Sequence, residues 1–400
     1  MEDHLKLQIQ YNGLGLDKMS LHSLVGHEAI RSSLNFAQQR DSLPASILIH
    51  GPRGIGKQRL ALWLGQLLLC TDSTQEGYCA SCKSCRLCLS LEHPDLHWYF
   101  PIAKPKNVRS NKLEEAMEEA RHQAIANRRE NTLRPSVRNE EPTGLYLATV
   151  KHLRLEAQKR PAMGSRQVFI IGEAETLVPQ ESSQAAANAL LKLLEEPPTN
   201  TIIILTSSEP GRLLSTIRSR TMQIYLPGLS DDEIKTFLLK EVRVDPEHVD
   251  QATLLGRGSI GRALGFLPNG DDLGPLEKLR QQAFRILKMA SAPDAGHIYR
   301  QSLEFRPIHG RGLIQLLDLL EDALRDLSAT AAGAPERVIS RDTLKFLERI
   351  NTERDIHPIK LAHAFEKLEE AKELAAGNVN PQLIVAGLLT GIREALNGRA

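Results

Sequence analysis

The segment SILIHGPRGIGKQ, residues 46–58, decides the fold of the N-terminal half of this 400-residue chain. The apolar run Ser46–His50 reads as a buried strand, and a glycine-rich turn and a helical stretch from Lys57 follow it. This order fits the phosphate-binding loop G-x-x-x-x-G-K-[ST], in which backbone N–H groups and a helix N-terminus hold phosphate while the lysine reaches toward it. The glycines of the predicted turn are Gly51, Gly54 and Gly56.

Both positions that hold magnesium in hydrolysing loops are altered. Gln58 stands where the loop needs a hydroxyl, and in the later strand VFIIGEAE, residues 168–175, Gly172 stands where the pattern h-h-h-h-D-E has its aspartate. Glu173 keeps the place of the water-activating carboxylate, but a base without an organised metal has little to act on. We predict no hydrolysis at this loop, and the binding of ATP or ADP stays open.

Short β-branched runs alternate with helical stretches as far as residue 228, which predicts an α/β domain with a mostly parallel sheet. After Pro227-Gly228 the pattern is helical. Ser230 and the acidic residues behind it predict a helix N-cap, and Leu313–Leu327 places its leucines on one helical face. The predicted strands are Ser46–His50, Gln167–Ile171, Thr201–Thr206 and Met222–Leu226.

The overall charge gives this chain no general attraction to nucleic acid or to an anionic membrane. Its 50 Lys and Arg residues nearly balance 49 Asp and Glu residues. No apolar stretch reaches the roughly 18 residues that a membrane span requires, and the N-terminus has no signal-peptide pattern. We expect a cytoplasmic protein whose DNA contacts are local or shared with partners.

Five cysteines lie within residues 70–88, in the segment CTDSTQEGYCASCKSCRLC. Four thiolates at such short spacing suit a closed tetrahedral zinc site that stabilises a small loop-rich module, here about 70–93. The predicted ligands are Cys70, Cys79, Cys82 and Cys85. An iron–sulfur cluster and free thiols are alternatives, and the spacing does not decide whether Cys88 replaces Cys70.

Residues 101–142 carry mixed charge and few large apolar side chains, which predicts a surface insertion with one solvated helix and flexible flanks. Arg128, Arg129, Arg134 and Arg138 could form a nucleic-acid arm, but the glutamates between them speak against it.

Several further motifs occur together and in a fixed order. They are LVGHEAI at 24–30, His93-Pro94-Asp95, AAANALLKLLEEPP at 185–198, TSSEPGRLLSTIRSRT at 206–221 and NVNPQL at 378–383. With the loop and the cysteines, they make the chain resemble the delta-prime family of bacterial DNA polymerase III clamp-loader subunits, relatives of the gamma/tau ATPases. The resemblance covers most of Leu24 to Leu226 and is weak over the C-terminal part.

The resemblance implies an AAA+ nucleotide-binding-like domain at 1–228, a helical lid at 229–272 and an all-α collar at 273–400. The collar would join this subunit to gamma/tau and delta subunits in a five-membered ring that loads a sliding clamp on primer–template DNA. Ser219-Arg220-Thr221 matches the family motif S-R-C, which implies that Arg220 is an arginine finger serving the ATP site of a neighbouring subunit. In the lid motif G-S-x-R, the arginine is displaced by one residue to Arg262.

Two other functions remain as alternatives. One is a gamma/tau-like ATPase that hydrolyses ATP at its own loop, and the other is a zinc-dependent module that binds nucleic acid through the cysteine segment and the insertion. The low aromatic content, 4%, and the balanced charge disfavour the second.

Overall fold

The computed structural model describes residues 21–109, 112–137, 143–177, 185–270, 272–292, 311–377 and 379–397. The chain divides into two compact units. The described parts of 21–134, 143–244 and 257–261 form the first unit, and the described parts of 135–137, 245–256 and 262–397 form the second. The predicted lid, 229–272, therefore contributes residues to both units, and the predicted domain boundaries stay predictions.

The first unit contains a five-stranded parallel sheet, as the alternating pattern predicts. The strands in chain order are β1 (Ser46–His50), β2 (Leu96–Tyr99), β3 (Ile102–Ala103), β4 (Thr143–Gly144), β5 (Gln167–Ile171), β6 (Thr201–Ser207) and β7 (Met222–Tyr225). The order across the sheet is β2-β5-β6-β1-β7, while β3 and β4 form a separate antiparallel pair. All four predicted strands are confirmed, two of them with ends shifted by one residue.

Strand β2 was not predicted. Its sequence, LHWY, has a histidine in the middle and no β-branched residue. Pairing with β5 and stacking of the His97 ring on Phe169, with ring centroids 4.5 Å apart, hold this strand at the sheet edge. Trp98 and Tyr99 favour a strand, but four residues that include a histidine are a weak local signal, and pairing with β5 completes the strand.

The alternation of side chains along the strands separates two cores. Ile47 and Ile49 face one core together with Leu60 and Leu64, whereas Leu48 faces the other. The helices of the first unit are α1 (Glu28–Gln39), α2 (Lys57–Leu69), α3 (Lys83–Leu89), α4 (Leu113–Glu130), α5 (Leu147–Ala157), α6 (Ala185–Glu195), α7 (Ser215–Arg218) and α8 (Asp231–Phe237). Short 3₁₀ helices cover Ala174–Leu177 and Pro210–Arg212, and a π-helical turn covers Leu238–Val242.

Helix α8 begins at the predicted cap. The Ser230 hydroxyl accepts from the backbone N–H of Glu233, and the Glu233 carboxylate accepts in return from the backbone N–H of Ser230. This capping box satisfies two backbone donors that a helix start leaves unpaired.

The helices that follow are α9 (Pro246–Gly256), α10 (Ile260–Phe266), α11 (Pro275–Ala290), α12 (Arg311–Ala331), α13 (Leu344–Arg354), α14 (Leu361–Ala376) and α15 (Pro381–Leu396). Three 3₁₀ turns lie between them, at Pro335–Arg337, Arg341–Thr343 and Pro358–Lys360. The predicted apolar face of α12 is confirmed, because Leu313, Leu316, Leu317, Leu320 and Leu324 are all at most 1% exposed. No helix in the described ranges is both long and apolar enough to cross a membrane.

The predicted helix of the insertion is present as α4, but the expectation that it is solvated is wrong for one of its faces. Met117 and Arg121 are buried, and Arg121 donates to the backbone oxygen of Trp98 at 3.1 Å. The Arg128 guanidinium lies 4.6 Å from the Trp98 ring centroid and 3.7 Å from that of Phe100. Aromatic side chains of β2 and the turn after it therefore provide the surface on which α4 packs.

Two further arginines of the insertion also have internal partners. Arg129 pairs with Glu92, and Arg134 donates to backbone oxygens of Asn127 and Asn131. Arg138 lies outside the described residues. These contacts within the chain weigh against a free basic arm.

Candidate nucleotide site and metal centre

The loop between β1 and α2 depends on glycine at three positions. The backbone φ angles are 148° at Gly51, 79° at Gly54 and 98° at Gly56, a range that side-chain-bearing residues rarely adopt. At Gly51 a Cβ atom would also lie 2.2 Å from the backbone oxygen of Leu226. The loop thus has the left-handed turns that a backbone cradle for phosphate needs.

Lys57, at the start of α2, is turned onto its own loop. Its ammonium group donates to the backbone oxygens of Gly51 at 2.9 Å and Pro52 at 2.5 Å, and the residue is only 7% exposed. Burial lowers the pKa of Lys57 to about 8, although the nearby Glu175 and Glu173 carboxylates oppose the shift. The lysine that would reach toward phosphates is therefore satisfied by loop carbonyls.

Gln58 and Gly172, the two altered metal positions, meet in space. A Cβ atom on Gly172 would lie 2.8 Å from Cδ of Gln58 and 2.9 Å from both its Nε2 and its Oε1. Magnesium requires near-octahedral oxygen ligands, and the usual loop hydroxyl and strand-end carboxylate are both missing here. The residues present do not fit a catalytic magnesium ion.

Glu173 and Glu175 follow β5 with different environments. Glu173 forms an ion pair with Arg53 of the loop at 3.7 Å, and its backbone N–H donates to the Thr206 hydroxyl. Glu175 is 4% exposed, accepts from the backbone N–H of Ser208, and has its pKa raised by burial. Glu175 was not predicted as a site residue, and its only signal in the sequence is its place two residues beyond Glu173.

The predicted metal ligands come together at the other end of α2. The Sγ atoms of Cys70, Cys79, Cys82 and Cys85 all lie within 4.8 Å of one another. The Cys70–Cys79 and Cys79–Cys85 sulfur distances are 3.6 and 4.0 Å, close to the roughly 3.8 Å edge of a tetrahedron with 2.3 Å metal–sulfur bonds. These four thiols fit a tetrahedral metal ion.

Backbone N–H groups support the same four sulfurs. The N–H groups of Cys79, Cys82 and Cys85 donate to the sulfurs of Cys70, Cys79 and Cys82, each at 3.3 Å. Cys88 lies in the apolar core instead, where burial raises the pKa of its thiol to about 12. The group of sulfurs that lie within 4.8 Å of one another contains Cys70 and not Cys88, which answers a question that spacing left open.

The His93-Pro94-Asp95 segment joins the cysteine module to the sheet. The Asp95 carboxylate is buried and accepts from the backbone N–H groups of Ala162, Met163 and Gly164. Burial opposes its ionisation, but these three donors hold the pKa of Asp95 below its usual value. His93 Nε2 lies 3.2 Å from the Ser84 hydroxyl of α3. This segment therefore has a structural role.

Arg220 and Ser219 lie just after the short helix α7. The Arg220 side chain is 37% exposed, and its guanidinium pairs with Glu195 at 2.9 Å and donates to the backbone oxygen of Thr216 at 3.1 Å. The Ser219 hydroxyl donates to the same backbone oxygen at 3.2 Å. Arg220 is thus presented at the surface of the chain by an ion pair between two exposed partners.

Arg262 makes contacts inside the second unit. Its guanidinium donates to the backbone oxygen of Leu255 at 2.8 Å and pairs with Asp322 of α12. The displaced lid arginine therefore has structural partners.

Comparison with known proteins assigns the family. The sequence model of the family described as "DNA polymerase III, delta subunit" matches residues 26–230, just over half of the chain. The match covers both the loop and the Arg220 segment. The chain belongs to this family. Its curated relatives include delta-prime subunits, as the sequence motifs predicted, and also gamma/tau subunits.

The delta-prime subunit of Escherichia coli K12 is 29% identical over 236 residues, which is 59% of this chain and 58% of that protein. The delta-prime subunit of Pseudomonas aeruginosa is 31% identical over 180 residues, 45% of this chain and 42% of that protein. The chain thus matches only about half the length of these relatives. A gamma-subunit-related protein of Thermotoga maritima has a solved structure that covers 91% of this chain and 99% of its own, with 16% identity and a TM-score of 0.43.

Proposed function

We propose that this chain is a non-hydrolysing delta-prime-like subunit of a DNA polymerase III clamp loader. It supports a hetero-pentameric ring with gamma/tau and delta subunits through its C-terminal helices. It completes the ATP site of a neighbouring subunit with Arg220, and the ring opens a sliding clamp and loads it on primed DNA.

The observation that carries the proposal is the contrast between the exposed Arg220 and the chain's own loop. Gln58 and Gly172 replace both metal-holding groups, so Glu173 has no metal-bound water to activate. Arg220 is exposed, and its partner Glu195 is 46% exposed, so their ion pair is worth at most about 1 kcal/mol. An incoming phosphate can therefore replace Glu195 at little cost.

Zinc is the metal that we propose for the four cysteines. Its preference for four thiolates in tetrahedral geometry fits their sulfur separations, and a closed site with no open position is structural. The ion would stabilise the loop-rich module between α2 and α3.

Arg220→Ala in the reconstituted complex with gamma/tau, delta and the clamp tests the proposal. We expect DNA-stimulated ATP turnover at the adjoining site to fall by about 10³-fold or more, because a guanidinium supplied in trans neutralises charge on the transferring phosphoryl group. Single-turnover ATP hydrolysis measures the rate, and gel filtration checks that the complex still assembles. Arg212→Ala is the matched control, since Arg212 is also exposed and paired with a neighbouring glutamate.

Full turnover with Arg220→Ala would refute the arginine finger. ATP hydrolysis by the purified wild-type chain alone would favour the gamma/tau-like ATPase. Salt-dependent binding of that isolated chain to DNA would favour the nucleic-acid module, because phosphate contacts release counterions. The internal partners of Arg128 and Arg129 weigh against this last alternative.

A further inference from the structure

The contact between Gln58 and Gly172 joins two changes that are far apart in the sequence. Gln58 lies in the first turn of α2 and Gly172 directly follows β5. The amide carbon, nitrogen and oxygen of Gln58 all lie within 2.9 Å of the place where a Cβ atom on residue 172 would stand. Real Cβ atoms do not approach other heavy atoms that closely, so no side chain fits at 172 while the amide keeps its place.

Backbone conformation does not explain the glycine at position 172. Its φ angle lies outside the left-handed region, in contrast to the glycines of the phosphate loop. Its N–H donates to the backbone oxygen of Tyr99 at 2.7 Å, a bond that any residue except proline can make. The requirement at 172 is therefore one of space.

The position of the Gln58 amide is not set by a hydrogen bond to its oxygen. Its Oε1 atom is buried and accepts no hydrogen bond from the described residues. A buried acceptor without a donor is unfavourable, so hydrogen bonding does not account for this position of the side chain. The amide lies where a side chain on residue 172 would begin, the direction in which a strand-end carboxylate would project.

We propose that Gln58 and Gly172 are one interlocked unit that excludes magnesium from the nucleotide loop. The amide fills the space of the missing carboxylate, and the missing Cβ makes room for the amide. A carboxylate side chain at position 172 can fit only if the Gln58 amide moves or is removed, and any nucleotide that binds does so without help from the metal. This inference rests on the proposed absence of hydrolysis and gives it a physical cause.

A stability cycle tests the interlock without any ligand. We expect Gly172→Ala to lower the Tm of the full chain by about 2–4 °C, because the new methyl group displaces the amide. In the Gln58→Ala background the same change should lower the Tm by less than about 1 °C. Equal shifts in both backgrounds would overturn the interlock, because non-additivity is the signature of direct contact.

A second cycle, with Gln58→Thr and Gly172→Asp, tests the exclusion of magnesium. The readout is the affinity for ATP, measured by titration calorimetry with Mg²⁺ and with EDTA. In the double variant we expect Mg²⁺ to strengthen ATP binding about tenfold or more, equivalent to about 1.4 kcal/mol. In the wild type and both single variants we expect no Mg²⁺ effect. Mg²⁺-dependent binding in Gly172→Asp alone, or its absence from the double variant, would overturn the proposal.

Gly211→Asp provides the matched control for a glycine-to-aspartate change. A Cβ atom there would meet nothing within 4 Å, and the residue is exposed. We expect it to leave the Tm and the ATP affinity unchanged within error. Hydrolysis by the wild-type chain would contradict the proposed function, whereas additive Tm shifts would contradict only the interlock, so the two failures are distinguishable.

Discussion

The two ends of helix α2 differ in whether the residues there can hold a metal ion. At its N-terminal end, Lys57 donates to loop carbonyls, and the Gln58 amide lies where a side chain on residue 172 would begin. At its C-terminal end, Cys70 joins three other thiols in a group that fits a metal ion. One helix thus connects a site that has lost the ligands for a catalytic metal to a site that keeps the ligands for a structural one.

The difference shows which constraints act on each end. A tetrahedral thiolate site contributes folding free energy by itself, so its four ligands are needed even if the chain catalyses nothing. A magnesium site in the nucleotide loop contributes only when nucleotide is bound, and its catalytic role matters only when that nucleotide is hydrolysed. Once hydrolysis is left to other subunits, as we propose, the loop can keep its backbone and lose its metal ligands.

The largest effect is expected from removing one of the four thiols at the C-terminal end of α2. Cys82→Ser should abolish zinc binding and unfold the module between α2 and α3, since structural zinc sites contribute about 10–16 kcal/mol of binding free energy in small peptides. Metal analysis should find one zinc ion per wild-type chain and none per variant. Cys88→Ala is the matched control and should keep its zinc, because Cys88 lies in the core. Zinc loss in that control would show that the ligand set is wrong.

A smaller effect is expected at the phosphate-loop end from Lys57→Met. Burial lowers the pKa of Lys57 from 10.5 to about 8, so the folded chain binds fewer protons there than the unfolded chain between these pH values. The resulting destabilisation is fully present below pH 8 and is relieved as the pH rises toward 10.5, a change of roughly 3 kcal/mol. The stability of the variant relative to wild type should therefore fall with rising pH.

Urea unfolding between pH 7 and pH 10 measures this trend. At pH 7 the gain from removing the buried charge is largely offset by the loss of two hydrogen bonds from a charged donor, each worth about 1.5–3 kcal/mol. Lys192→Met, at an exposed lysine of α6, is the control. If the difference in the free energy of unfolding between Lys57→Met and wild type did not change with pH, the lowered pKa of the buried Lys57 would be contradicted.

The smallest expected effect lies in the middle of α2. Gln66 is buried and its amide donates to the backbone oxygen of Cys85 at 3.4 Å, which links the helix to the thiol module. Gln66→Met keeps the volume and removes this hydrogen bond, so we expect a loss of about 1 kcal/mol in the free energy of unfolding. Urea unfolding measures the loss, and metal analysis should still find zinc. Loss of the metal would mean that the hydrogen bond positions the ligands.

The amino-acid sequence predicted the features that depend on residues close to one another along the chain. The strands β1, β5, β6 and β7 are apolar runs, and the buried face of α12 follows the helical period. It also named the four cysteines that come together. It missed β2, whose four residues give only a weak local strand signal. It treated α4 as solvated because Arg121 and Arg128 give no local sign that Trp98 and Phe100 will cover them.

The amino-acid sequence by itself determined the family, the phosphate loop, the loss of its two metal ligands and the thiol spacing, because each of these is written in residue types at short, fixed intervals. Only the tertiary structure decided that Cys88 stays in the core, that Lys57 turns onto its own loop and that Gln58 occupies the space beside Gly172. These facts depend on which distant segments share the same volume. Which distant segments become neighbours is decided by close packing of the whole domain, so a local sequence pattern does not reveal it.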